Sequence, residues 1–213
     1  MKFKIEQIGL FNKTKKDVIN FRDGVNIISG TSKTGKSSIG KVINYCLGAS
    51  KNIIPAGIIR DSTEIYAIQV VIDNKKLIIA RNRFDGSEND EMQGKKYIYL
   101  EYLENDISLN EISYSHFNQH DTNYITITDF LELEIIKYFP SFPPKTRKDG
   151  KEYVRPTIRN MTPFIFQSQD IICSDKTLFF DMNNSNKVRG IIRDFQLFLG
   201  LVNNDIYNKN NIS

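Results

Sequence analysis

Eight residues set the strongest limit on the fold. Gly30-Thr31-Ser32-Lys33-Thr34-Gly35-Lys36-Ser37 matches the pattern G-x-x-x-x-G-K-[ST]. Glycines in such a loop let successive backbone N–H groups turn inward and form a concave anion-binding nest. The lysine reaches the outer phosphates of a nucleotide, and the hydroxyl after it ligates Mg²⁺. A helix starting at the end of the loop aims the positive end of its dipole at the same anion. With average residue frequencies the pattern arises by chance in roughly one chain in a hundred of this length. The flanking residues sharpen it. Val25-Asn26-Ile27-Ile28-Ser29 reads as a short strand buried on both faces, while Ile39, Val42, Ile43 and Cys46 fall at helical spacing, with Gly48 as C-terminal cap. Residues Gly30 to Ser38 are therefore the expected phosphate-binding set, with Ser37 on Mg²⁺.

Composition narrows the class without naming it. At 213 residues, 40% hydrophobic and 25% charged, the chain reads as a globular protein of one large domain or two small ones. Its longest apolar runs fall far short of the ~20 residues of a membrane-spanning helix, so no membrane partner is expected. The alternation of Met1-Lys2-Phe3-Lys4-Ile5 is unlike a signal peptide. Cys46 and Cys173 stand far apart and outside any CxxC, which indicates neither a disulfide framework nor a zinc site and fits a reducing cytoplasm. The net charge of +4 permits contact with nucleic acid without arguing for it.

The rest of the chain reads as follows. Lys2 to Phe11 alternates as a strand, Asn12 to Lys16 is a basic turn, and Val18 to Phe21 resumes the strand pattern. Arg22-Asp23-Gly24 is a hairpin signal leading into Val25 to Ser29. A second hairpin, Thr63 to Ile72 and Lys76 to Phe84, flanks Asp73-Asn74-Lys75, and Tyr97 to Leu103 is a further strand. Asp129 followed by Glu132 marks a helix start, running through Phe130 to Tyr138. Ser141 to Arg155 is a long basic surface loop. The last helix carries an apolar stripe of Val188, Ile191, Ile192, Phe195, Leu199 and Val202.

These residues carry a resemblance. Phe21-Arg22-Asp23-Gly24-Val25-Asn26-Ile27-Ile28-Ser29-Gly30, then Ser37-Ser38-Ile39 and Ile43-Asn44-Tyr45-Cys46-Leu47-Gly48, resemble the opening of SMC/RecN/RecF-like ATPases of the ABC superfamily. Downstream, Pro163-Phe164-Ile165-Phe166-Gln167-Ser168-Gln169-Asp170 resembles the family's Q-loop, in which a strand ends in a glutamine beside Mg²⁺ and the γ-phosphate. Gln167 is the preferred residue and Gln169 the alternative. The resemblance extends through Leu178-Phe179-Phe180 and the last helix, with a weaker middle at residues 87–151 that looks like a family-specific insertion. It implies an α/β fold, a P-loop NTPase core joined to an N-terminal antiparallel β part. Residues 1–202 would be the N-terminal half of a head domain, and 203–213 a tail opening a linker or coiled coil.

The departures from the family are equally informative. No signature motif near L-S-G-G-Q is present, and no Walker B strand ending in Asp-Glu. Val70-Val71-Ile72-Asp73 imitates one but runs into Asn74-Lys75-Lys76, which reads as a hairpin turn, and Leu178-Phe179-Phe180-Asp181 is followed by Met182. In the family those motifs lie in a C-terminal lobe. The resemblance thus implies that this lobe, on the same or a separate chain, and a second head clamped through ATP are needed for hydrolysis, on DNA in chromosome maintenance, repair or defence. It also implies an apolar surface left for the partner lobe, and with it self-association. The rival reading is a non-catalytic ATP-sensing subunit that recruits an effector such as a nuclease. A small-molecule kinase ranks last, because the hairpin read before the loop and the terminal helix both speak against it.

Other residues carry weaker signals. His116 and His120 stand four apart, but the segment shows no helical apolar stripe and reads as a surface loop rather than a metal site. Lys145, Arg147, Lys148, Lys151, Arg155 and Arg159 read as a solvated basic stretch, with phosphate-backbone contact as the alternative. Arg60, Arg81 and Arg83 are candidates to face nucleotide or DNA, and the resemblance places Lys13 and Lys15 near the nucleotide base.

Overall fold

The computed structural model describes residues 3–49, 54–72, 75–84, 96–103, 107–131, 157–167, 172–173, 175, 185–199 and 201. The chain divides into two compact units, Lys2–Phe130 and Leu131–Ser213.

The first unit is built on a six-stranded sheet. Its strands are β1 (Phe3–Phe11), β2 (Lys16–Asn20), β3 (Ile65–Ile72), β4 (Lys75–Asn82), β5 (Tyr97–Leu103) and β6 (Tyr124–Thr126), in the order β2-β1-β3-β4-β5-β6. Every pairing is antiparallel. The fold is therefore mixed α/β, with the antiparallel β part of the sequence reading in place. The turn from β1 to β2 is closed by Asn12, whose Oδ1 accepts from the Thr14 and Lys15 amides at 2.9 and 2.7 Å, an Asx turn that explains an asparagine there. The second hairpin also forms, with Lys75, read as a turn residue, opening β4 opposite Ile72; Asp73 lies outside the described residues.

Both faces of this sheet are covered. On one, Ile65, Ala67, Ile78, Ala80 and Tyr99 pack with Phe11, Leu109, Ile112 and Phe117. Phe117 belongs to α3 (Tyr114–Gln119) and meets Phe11 and Tyr99 edge to face, each at 5.1 Å between ring centroids. On the other face lies α1 (Lys36–Cys46), against β3 and β4. Tyr45 meets Tyr66 edge to face, and Cys46 Sγ bonds the Tyr66 carbonyl. The end of α1 is a Schellman closure. Gly48 has φ 85° and donates to the Tyr45 carbonyl, and Ala49 donates to that of Asn44, so the glycine reads as its conformation requires.

Several expectations need correction. The segment Val25 to Ser29 carries no strand pairing among the described residues, and Val25 and Ile27 are 90% and 88% exposed. None of the six strands pairs with it, so the strand expected to lead into the phosphate loop is not formed among the described residues. Arg22 to Gly24 is a turn, with Gly24 at φ 84° and Asn26 bonding the Arg22 amide and carbonyl, each at 2.9 Å. It does not close a hairpin. The helix placed at Asp129 begins two residues earlier, at 127, where the Thr126 hydroxyl accepts from the Asp129 amide at 3.1 Å and donates to its carboxylate. His116 is not in a surface loop: it sits on α3, anchored by the buried Phe117, whereas His120 lies just past the helix end in an exposed turn, as read.

In the second unit, α4 (Ile158–Ile165) packs with α5 (Ser185–Phe198). Their contact joins Phe164 to Phe195 and buries Asp194, which receives Asn160 Nδ2 and the Arg193 guanidinium. The stripe read on the last helix is only partly buried: Ile191 is covered, Ile192 and Leu199 are not. No helix among the described residues is long and apolar enough to cross a membrane.

Candidate nucleotide-binding site

The loop before α1 has the backbone shape that its sequence calls for. Gly35, the residue ahead of the helix, has φ 83°, and Lys33, two residues earlier, has φ 65°. Lys33 is the sole non-glycine residue with positive φ among those described. A left-handed lysine costs about 1 kcal/mol. Alternation of left-handed with ordinary residues turns consecutive N–H groups to one side, which is how a backbone nest is made. Gly35 is further restricted by Ile59, because a Cβ at Gly35 would run into Ile59 Cδ1.

Lys36 folds back over the loop. Its Nζ donates to the carbonyls of Gly30 at 2.8 Å and Thr31 at 2.5 Å and lies 3.3 Å from Thr34 Oγ1, which itself donates to the Thr31 carbonyl. The cation thus sits at the mouth of the loop, partnered only by neutral oxygens in these contacts. An anion entering the nest would offer it a stronger charge-assisted partner. Ser37 and Ser38 occupy the first turn of α1, and the Ser38 amide closes on the Gly35 carbonyl at 2.9 Å. Ser32, Lys33 and Ser37 are exposed. A cleft of about 470 Å³ runs beside the loop, bordered by Gly30, Thr31, Gly35 and Lys36 and floored by apolar side chains including Ile8, Leu10 and Ile39. This donor set fits a polyphosphate: an inward-turned backbone, one ammonium, and a hydroxyl at the helix start.

Residues expected from sequence elsewhere divide sharply. Gln167 does not end a strand, since residues 158–165 form α4. Pro163 inside that helix leaves the Arg159 carbonyl without its backbone donor, and the Thr162 hydroxyl takes it at 2.7 Å. Gln167 Nε2 donates to the Pro163 carbonyl at 2.9 Å, closing the end of its own helix. Gln169 and the basic residues 145–155 lie outside the described residues. Arg81 is 1% exposed and faces neither nucleotide nor DNA. Its Nη1 donates to the carbonyls of Tyr45 and Ala49 at the end of α1, at 2.6 and 2.8 Å. Arg83 Nη1 donates to the Arg60 and Asp61 carbonyls of α2 (Ile58–Ser62), at 3.2 and 3.1 Å. Lys15 pairs with Asp17 at 3.0 Å on the exposed edge of the sheet.

Sequence reasoning missed a second polar cluster. Glu101 Oε2 lies 2.8 Å from His116 Nε2 and accepts from the Tyr99 hydroxyl at 2.7 Å, while the His116 and His120 rings are 4.5 Å apart. Tyr99 and Glu101 share one face of β5, and that i, i+2 relation was the available signal. Among the described residues no group of three or more His, Cys, Asp or Glu is placed to hold a metal. Compared with known proteins, the chain matches no protein-family model and no curated protein at a significant level.

Proposed function

We propose that the chain is the ATP-binding lobe of an SMC-like ABC ATPase acting on DNA. The observation that carries this reading is the loop itself: Lys33 and Gly35 are left-handed, and the Lys36 ammonium rests on the Gly30 and Thr31 carbonyls at the start of α1. In this account Gly30 to Ser38 cradle the phosphates of Mg-ATP, Lys36 neutralises the outer ones, and Ser37 ligates Mg²⁺.

The exposed Val25 and Ile27 support the same reading. An apolar, unpaired segment beside the loop is where strands of a C-terminal lobe, on this or another chain, would complete the sheet. That lobe would bring the Walker B acid and the signature motif, ATP would clamp two such heads together, and hydrolysis would release them. No apolar run in the sequence ends in Asp-Glu, which favours one rival, an ATP-sensing subunit that recruits an effector such as a nuclease. Mg-ATP binding to the full chain and to Lys36→Ala tests the shared core of both readings. ATP turnover by the isolated chain, lost in Lys36→Ala, would contradict the sensing subunit.

A further inference from the structure

We infer that the five-residue helix α2 is a strut holding the phosphate loop in its anion-binding shape, with Ile59 as its contact on the loop and Arg83 and Asn12 as its tethers to the sheet. The inference rests on the phosphate-loop reading above and adds to it residues outside the sequence motif.

The loop needs an external support. Two of its residues are left-handed, one of them a lysine. The side-chain bonds that brace it come from Thr34 and from the Lys36 ammonium, and a bound phosphate would draw that ammonium away. Ile59 supplies an apolar contact that does not depend on the Lys36 ammonium: its side chain borders the cleft and lies against Gly35, the residue between loop and helix.

The helix carrying Ile59 is itself too short to persist alone. Its end is fastened instead. Arg83 Nη1 takes the Arg60 and Asp61 carbonyls, and Asn12 Nδ2 takes the Ser62 carbonyl at 2.7 Å. The chain after it is tied by Arg83 N to the Glu64 carbonyl and Glu64 N to the Phe11 carbonyl, at 2.6 and 2.8 Å. Asn12 follows β1 and Arg83 follows β4, so α2 links the rim of the sheet to Gly35. A cationic fork on the last carbonyls of a helix is favourable for both hydrogen bonding and the helix dipole. Arg83 is thus a positioning residue.

Hydrogen exchange of the loop amides and Mg-ATP affinity, measured on the full chain with Ile59→Ala, Arg83→Ala and Arg83→Lys, test the strut. Ile59 and Arg83 are half-buried at the rim, so the variants are expected to melt within a few degrees of wild type. The expected result is faster exchange at Thr31 to Ser38 in Ile59→Ala and Arg83→Ala, a Kd for Mg-ATP raised about tenfold, and partial recovery in Arg83→Lys. Unchanged loop exchange in both alanine variants overturns the proposal, whatever the nucleotide affinities. Exchange that rises as expected in a chain that binds no Mg-ATP keeps the strut and instead defeats the phosphate-loop reading.

Discussion

The Arg81 guanidinium lies over the Tyr45 ring, 4.0 Å from its centroid, and donates to the Tyr45 carbonyl at 2.6 Å. One residue of β4 therefore holds both the side chain and the backbone at the end of α1, the helix that begins at the phosphate loop. Burial pulls the Arg81 pKa down from its ordinary value, while the adjacent ring and carbonyls stabilise the cation.

Removing this group should be costly, because the Tyr45 and Ala49 carbonyls would lose a buried donor and a cavity would open. Arg81→Ala is expected to destabilise the first unit by about 3 kcal/mol and lower its thermal midpoint by on the order of 10 °C. Arg81→Lys should recover little, since an ammonium has neither the planar face nor the fork. Thermal unfolding by circular dichroism reads both variants; a midpoint unchanged in Arg81→Ala would refute this role.

Stability should also fall in alkali. Burial pushes the Cys46 thiol up from 9.0 to about 12 and the Tyr45 and Tyr124 hydroxyls up from 10.0 to about 12. Tyr66 and Tyr99 move in the same direction for the same reason. Each group keeps its proton in the folded state while the unfolded chain loses it, so the unfolded state binds fewer protons and stability declines as pH rises. The contribution is intact below pH 9 and is lost between pH 9 and 12, at up to about 1.4 kcal/mol per pH unit for each group. Urea midpoints measured from pH 7 to 11 should be flat at first and then drop. A flat profile throughout would show that these groups titrate freely.

Lys33 offers a substitution that should improve the protein. Its φ of 65° suits glycine better than lysine, so Lys33→Gly is expected to relieve about 1 kcal/mol of strain, offset in part by the freer unfolded chain. Mg-ATP affinity should hold within about threefold, since the nest is made by backbone. Lys33→Val should do the reverse on stability. A Lys33→Gly protein less stable than wild type would mean that the lysine side chain contributes more than its backbone costs.

Val25 and Ile27 project into solvent, so nothing in the first unit depends on their burial. The double variant Val25→Ser, Ile27→Ser is expected to keep the thermal midpoint within about 2 °C and to reduce self-association in light scattering. A fall of many degrees would mean that these side chains are covered within the unit.

Much of the β part was legible in the sequence because alternation and turn chemistry are local signals. Lys2 to Phe11 alternates, Asn12 closes its own turn, and Gly48 stands where the helix end needs a left-handed residue. What failed depended on partners distant in sequence. Val25 to Ser29 is apolar enough for a strand, yet it pairs with none among the described residues. The turn at Arg22 to Gly24 predicted a neighbour that the sheet does not supply. Arg81 was read as a candidate to face nucleotide or DNA, although it shares its face of β4 with Leu77 and Ile79, which the i, i+2, i+4 spacing discloses. Residues 163–166 were read as a strand ending in Gln167, and the Thr162 hydroxyl that lets α4 run through Pro163 becomes visible only in three dimensions. At the candidate site, the motif was readable residue by residue, whereas Ile59 and Arg83 act from outside it and carry no local pattern.

Titration calorimetry of Mg-ATP into the full chain, wild type and Lys36→Ala, tests the central claim most directly. The Lys36 ammonium rests on neutral carbonyls at the mouth of the loop, and a phosphate should capture it through charge-assisted hydrogen bonds. The account predicts saturable one-to-one binding by wild type, dependent on Mg²⁺, and affinity lower by about a hundredfold or more in Lys36→Ala. Equal affinity in the two proteins, or no binding by wild type, would contradict it.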